Sequence, residues 1–290
     1  MLSRLEGLEL RARSVVEGYV AGLHRSPLHG FSIEFAQHRE YAPGDDLRHV
    51  DWKVFGRTDK FYLKQYEEET NLIAYVLVDT SESMRYKGTN SALSKLEYAQ
   101  TAAASLAYLI LRQRDSVGLV TFDKEIRSTI RPSGQASHLK HLLHVLEETV
   151  PERKTSTGPI FHELAERFSR RGIVIIFSDL FDDVSSMLAG LKHFRHKRHD
   201  VIVFHTLDAD ELDFPFKQPT RFRGMEEAPT VMTNPRSLKK AYLRELQRFR
   251  IAVKAGCHTH RIEYVDMRTD RPLDQALTSY LAHRMDRSRF

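Results

Sequence analysis

The sequence predicts an α/β fold, a mostly parallel sheet covered by helices on both faces. Two observations predict it. Runs such as Ile73-Ala74-Tyr75-Val76-Leu77-Val78 and Ile173-Val174-Ile175-Ile176-Phe177 contain no charged residue, the pattern of strands buried on both faces. Segments of helical length and helical periodicity alternate with them.

The elements follow in order. Residues 1–24 read as a helix, with Leu2, Leu5, Leu8, Leu10, Val15, Val16, Tyr19 and Leu23 forming a rough apolar stripe. Residues 25–70 change character: 31–35 alternate like a half-buried strand, 41–46 are turn chemistry, and 61–66 read as a strand. From residue 71 the alternation is regular. Strands are expected at 73–78, 116–122, 126–130, 173–177, 201–204 and 262–265. Helices are expected at 93–111, 137–150, 158–170, 184–196, 238–255 and 273–284, the third opened by Pro159 in its first turn. Pro215, Pro219, Gly224 and Pro229 interrupt the rhythm at 209–234, where 220–231 read as a hairpin. The predicted organisation is an N-terminal helix and extended segment at 1–70, then one α/β domain at 71–290 with an irregular insertion at 209–234.

Composition narrows the class. The 290 residues are 41% hydrophobic and 29% charged, enough for a sizeable core and a solvated surface. The single cysteine, Cys257, permits neither an internal disulfide nor a CxxC zinc site, and is read as structural in a reducing compartment. Residues 1–6 lack the apolar core of a signal peptide. The most apolar stretch, 101–111, falls short of the roughly 20 residues a membrane helix needs. A cytoplasmic protein with no membrane span is expected. The net charge of +5 concentrates in residues 185–290, with twenty Lys/Arg against thirteen Asp/Glu, and is read as solvated surface.

In parallel sheets ligands bind outside the carboxyl ends of the strands. Asp79-Thr80-Ser81-Glu82-Ser83 follows the first apolar strand, placing one carboxylate and two hydroxyls on one loop. Hard cations take such oxygen ligands. Ser178-Asp179 ends the strand at 173–177, putting a second carboxylate at the same edge. Lys154-Thr155-Ser156-Thr157-Gly158 precedes a helix from which a hydroxyl can reach that edge.

This constellation resembles the metal-ion-dependent adhesion site of von Willebrand factor A domains, which are Rossmann-like. The resemblance implies that Asp79, Ser81, Ser83, Thr155 and Asp179 bind Mg²⁺ or Mn²⁺, with Thr157 as an alternate ligand. Lys154 departs from the glycines that often precede the threonine. In that family an acidic side chain of a partner fills an open position on the metal, so the implied role is bridging rather than bond making.

A second signature comprises Arg39-Glu40-Tyr41-x-Pro43-Gly44-Asp45-Asp46-x-Arg48-x-x-Asp51-Trp52, then Arg57-Thr58 and Tyr66-Glu67-Glu68-Glu69. It resembles the uncharacterised bacterial family with a von Willebrand A-like domain that accompanies MoxR-type AAA+ ATPases. The resemblance implies a MoxR-type AAA+ ATPase, or that machine's client, as partner. Physically, Arg39, Arg48 and Arg57 are placed to pair with Asp45, Asp46 and Asp51 around Trp52, fixing the segment or meeting a partner.

Two histidine triplets, His138/His141/His144 and His193/His196/His199, drift around their helices and are read as polar edges rather than zinc sites. Lys239, Lys240, Arg244, Arg248 and Arg250 make the helix from 238 basic, but Tyr242 and Phe249 are spaced to face the core. Nucleic-acid binding is not expected. The chain has no GxSxG, P-loop, HExxH or strand-following GxGxxG motif, and no enzyme is expected. A metal-dependent hydrolase and an RNA-binding A-domain protein are the rival readings.

Overall fold

The computed structural model describes residues 7–17, 38–40, 55–56, 61–64, 72–151, 156–218, 220–222, 231–233 and 235–277. The chain divides into two compact units, Met1–Gly22 with Leu72–Phe290, and Leu23–Asn71.

In the smaller unit, β1 (His38–Glu40) pairs antiparallel with β2 (Tyr62–Lys64), in the register Arg39↔Leu63. The rings of Phe55 and Phe61 stack at 4.3 Å. The expected strand at 31–35 and the turn at 41–46 lie outside the described residues.

The larger unit is built on a six-stranded sheet in the order β10-β7-β6-β3-β4-β5. The strands are β3 (Ile73–Asp79), β4 (Ser116–Phe122), β5 (Ile126–Ser133), β6 (Ile173–Ser178), β7 (Asp200–Leu207) and β10 (Glu263–Arg268). All neighbours pair parallel except β4 and β5, which form an antiparallel edge. Chain order reverses around β3, which lies between β4 and β6, so the switch point of the sheet falls at the ends of β3 and β6.

Helices cover both faces, as the apolar strands require. Ala74, Val76 and Val78 of β3 point into one core cluster with Ala99, Ala102, Ala103 and Leu106 of α2 (Lys95–Arg112) and Leu142, Leu143 and Leu146 of α3 (His138–Glu148). Helix α1, residues 7–17, adds Leu8 and Ala12 to the same cluster. The alternate residues Ile73, Tyr75 and Leu77 point to the opposite cluster. There they meet α4 (Thr157–Arg167), α5 (Val184–His196) and α7 (Pro235–Thr259) through Phe161, Leu164, Met187, Leu191, Phe194 and Val253. Period-two alternation thus sorts one strand's side chains between two helical layers.

Gly158 and Gly190 let α4 and α5 approach closely. A Cβ on Gly190 would lie 2.7 Å from Phe161 Cβ and 2.8 Å from the Gly158 carbonyl oxygen. Cys257 is fully buried in the second cluster, and burial pushes its thiol up to about 12, which fits a structural cysteine.

The insertion contains a short helix, α6 (Ala209–Asp213), started by a capping box between Asp208 and Glu211. The expected hairpin forms from β8 (Thr220–Phe222) and β9 (Val231–Thr233). Residues 273–277 are helical, and the rest of the expected closing helix lies outside the described residues. Among the described residues no helix is long and apolar enough to cross a membrane.

Candidate functional site

β3 ends at Asp79, and the chain turns at once. Thr80 donates to the Phe122 carbonyl through both its backbone N–H (2.7 Å) and its hydroxyl (3.0 Å), which ties the loop to the end of β4. Asp79 is fully buried. Its Oδ1 accepts the Ser81 N–H at 2.9 Å, an Asx-type turn, and its Oδ2 accepts the Ser178 hydroxyl at 2.5 Å. The Ser81 and Ser83 Oγ atoms lie 3.0 Å apart, at the start of a 3-10 turn spanning Glu82–Arg85.

Asp179 follows β6, whose Phe177 is in register with Val78 of β3. It too is fully buried. Its Oδ1 accepts the Phe181 N–H at 3.2 Å, and its Oδ2 accepts from Lys95 Nζ at 2.7 Å. The same ammonium donates to Glu211 Oε1 at 2.8 Å, and the Phe181 ring lies 5.0 Å from it. Lys95 is the first residue of α2, behind a capping box of Ser94 and Glu97, and no part of its side chain reaches solvent. His205 Nε2 donates to the Asp179 carbonyl at 2.8 Å, and its Nδ1 meets the Tyr264 hydroxyl at 2.6 Å.

These contacts make a buried, electrostatically strained edge. Burial, and then the charge of Asp179, push the Asp79 carboxyl up to about 7 against the hydrogen bonds from Ser178 and Ser81. Burial alone would push the Lys95 ammonium down, but Asp179 and Glu211 outweigh it and the net shift is upward. Burial pushes Glu211 up, with Lys95 opposing. Burial holds His205 down at about 4, so its ring is neutral at pH 7.

The donors suit a hard divalent ion. Octahedral coordination at about 2.1 Å sets adjacent ligand oxygens about 3.0 Å apart, and the two serine hydroxyls have that spacing. Asp79, Asp179 and Glu211 together exceed the single Lys95 in charge, so the edge is acidic as well as oxygen-rich. Among the described residues no cluster of three or more His, Cys, Asp or Glu side chains could hold a metal; this edge instead pairs two carboxylates with two hydroxyls.

The structure thus brings Asp79, Ser81, Ser83 and Asp179 to one edge. Thr155 lies outside the described residues. Thr157 is buried at the start of α4, and its N–H (2.7 Å) and hydroxyl (2.9 Å) both donate to Asp182 Oδ2. The side chains of Arg39, Asp45, Asp46, Arg48, Asp51, Trp52 and Arg57 lie outside the described residues.

The histidines disperse. His138 Nε2 meets the Val117 carbonyl at 2.9 Å, His193 pairs with Glu166 at 2.8 Å, and the buried His199 accepts the Gly172 N–H at 3.2 Å. On α7, Tyr242 packs on Phe214 at 4.9 Å and Phe249 on Phe181 at 5.6 Å, so both rings serve the fold.

Lys95, Glu211 and Ser178 were not anticipated. A signal for Lys95 existed: a lysine in the first turn of a helix opposes the positive end of the helix dipole, and such a placement asks for a compensating anion.

The comparison with one solved structure supports the fold. The chain is similar to the BatB protein of Bacteroides thetaiotaomicron, with a TM-score of 0.50 at 15% identity, over 73% of this chain and 98% of that one. It also aligns with the SpRpn10 VWA domain at a TM-score of 0.40 and 12% identity, over 72% of this chain and 94% of that one. In sequence it is 25% identical to the uncharacterised protein Rv1480 of Mycobacterium tuberculosis over 221 residues, which is 74% of this chain and 68% of that protein. It is 28% identical to the uncharacterised protein YeaD of Bacillus subtilis over 123 residues, 42% of this chain and 28% of that one. The model of one family, described as a protein of unknown function, DUF58, matches residues 37–252, and with three quarters of its length inside that match the chain belongs to this family.

Proposed function

We propose that this chain is a cytoplasmic protein-interaction module in which Asp79, Ser81, Ser83 and Asp179 hold Mg²⁺ or Mn²⁺ for capture of an acidic side chain on a partner. The observation that supports it most is the Ser81–Ser83 hydroxyl pair at 3.0 Å beside the buried Asp79, at the switch point of the sheet. A divalent ion there would supply an open coordination position for a carboxylate. The chain's own residues do the rest. The Asx turn fixes the Asp79 loop, Ser178 orients the Asp79 carboxylate, and His205 holds the Asp179 backbone.

The partner in this reading is a MoxR-type AAA+ ATPase or its client, and the task is assembly, activation or remodelling of a protein complex. The partner rests on the resemblance of residues 39–69 to the MoxR-associated family. The test is binding to a co-encoded AAA+ ATPase in Mg²⁺, in chelator, and after Asp79→Ala. Tight binding only in the first condition is expected. Equal affinity in all three would overturn the metal bridge. Turnover of phosphate-ester substrates with Mn²⁺, lost in Asp179→Ala, would favour a hydrolase instead.

A further inference from the structure

The Lys95 ammonium sits where it must influence any cation at this edge. It lies 2.7 Å from Asp179 Oδ2 and 2.8 Å from Glu211 Oε1, with no solvent access to the lysine or to Asp179. An ion using Asp179 competes with this ammonium for the same carboxylate, or shares it and meets an unscreened positive charge. Within a buried edge such a charge is felt far more strongly than in water.

Lys95 is also costly to place there. It is the first residue of α2, so the positive end of the helix adds to its own charge, and burial removes its hydration. Ser94 and Glu97 already cap the helix, so the lysine is not needed for that. Glu211 is provided by the first turn of α6, itself held by the Asp208 capping box. Two separate elements, α2 and α6, therefore bring a cation and a second anion to Asp179.

We infer that Lys95 is a built-in counter-cation for Asp179, which weakens divalent binding in the free protein, and that Glu211 is the carboxylate on which its ammonium settles when a divalent ion takes Asp179. The inference rests on the metal reading proposed above and adds its regulation. Glu211 acts as a positioning residue through Lys95. An edge of this design stays closed by an internal ion pair at low divalent concentration and opens by a short side-chain shift, with no movement of the sheet.

The test is direct Mn²⁺ binding, read from the electron paramagnetic resonance signal of free Mn²⁺, on the full chain. Five proteins are compared: wild type, Lys95→Gln, Glu211→Gln, the double variant, and Asp79→Ala. Lys95→Gln is expected to bind Mn²⁺ at least ten-fold tighter than wild type. Glu211→Gln is expected to bind at least three-fold weaker, because the ammonium loses its alternative partner and stays on Asp179. In the Lys95→Gln background the Glu211→Gln effect is expected to vanish, whereas a direct field effect of Glu211 on the ion would persist. Asp79→Ala is expected to abolish binding.

Equal or weaker Mn²⁺ affinity in Lys95→Gln, with binding still dependent on Asp79, overturns the role of Lys95 and leaves the metal site standing. Binding by neither wild type nor Lys95→Gln, both folded, overturns the metal site itself, as does full binding by Asp79→Ala. Should Lys95→Gln fail to fold, Glu211→Gln decides alone: unchanged affinity there overturns the inference.

Discussion

Lys95 Nζ and Asp179 Oδ2 meet at 2.7 Å, deep enough that neither side chain touches solvent. Burial strips both ions of water, and their attraction repays that only because further groups complete the set. Glu211 Oε1 and the Phe181 ring serve the ammonium; the Phe181 N–H serves the carboxylate. Removing one partner leaves the other charged and unpaired. Lys95→Met is therefore expected to lower the unfolding free energy in chelator by about 3–5 kcal/mol. Urea unfolding at pH 7 measures this, and a loss within experimental error would show that water reaches the pair.

The Asp79 carboxyl provides a second, pH-dependent signature. Burial and the Asp179 charge raise it from 3.8 to about 7 in the folded chain. A group raised on folding holds its proton in the native state while the unfolded chain has released it. Its contribution is then fully present below the unfolded value and is lost as pH rises through the folded one. In chelator, the stability of wild type relative to Asp79→Asn is expected to fall steadily between pH 4 and about 7. Taking the difference between the two proteins cancels the titrating groups that do not interact with Asp79. A flat difference across that window would mean that Asp79 is ionised throughout.

Much of this was legible in the sequence, for identifiable reasons. Strand β3 carries no charged residue before Asp79, its last, and β6 carries none, with Asp179 directly after it, so the strand ends point to both carboxylates. The boundaries failed where burial and polarity part company. β7 runs on to Leu207, beyond the expected end at Phe204, because His205 and Thr206 are buried polar residues whose hydrogen bonds are met, His205 by the distant Asp179 carbonyl and Tyr264 hydroxyl and Thr206 by the Phe204 carbonyl. α7 begins at Pro235 rather than 238, since proline suits a first turn and leaves no apolar stripe to read. Helix α6 arises inside an expected irregular insertion from the Asp208–Glu211 capping box. The place of Lys95 in a first helical turn asks for an anion but does not say which one, because its partners are 84 and 116 residues away in sequence.

Packing between α4 and α5 depends on Gly190. A Cβ there meets Phe161 Cβ at 2.7 Å and the Gly158 carbonyl oxygen at 2.8 Å, and both neighbours belong to stiff parts of α4. Neither can retreat as a flexible side-chain tip would. Gly190→Ala is expected to destabilise the fold by about 1–3 kcal/mol through overpacking. Differential scanning calorimetry checks this. An unchanged melting temperature would show that α5 slides freely on α4.

Substitution of Ser81 and Ser83 separates the proposed metal function from the stability of the edge. Their hydroxyls bond each other at 3.0 Å, while the Asx turn uses the Ser81 backbone N–H rather than its side chain. Replacing both hydroxyls by hydrogen removes their mutual hydrogen bond and the Ser81 hydroxyl's share in holding Asp79, whose carboxylate keeps its bonds from Ser178 and from the Ser81 N–H. A hydroxyl bond of this kind contributes about 0.5–1.5 kcal/mol net. The double variant Ser81→Ala/Ser83→Ala is expected to unfold in chelator within that margin of wild type. Its response to Mg²⁺ should differ sharply. If the edge holds the ion, wild type is expected to gain stability by an amount growing with the logarithm of ion concentration above the dissociation constant. The double variant should show no such rise across the same titration. Thermal unfolding followed against Mg²⁺ concentration reads both quantities at once. Parallel Mg²⁺ curves for the two proteins would remove the serine hydroxyls from the site, because a ligand set that keeps its affinity without them does not use them.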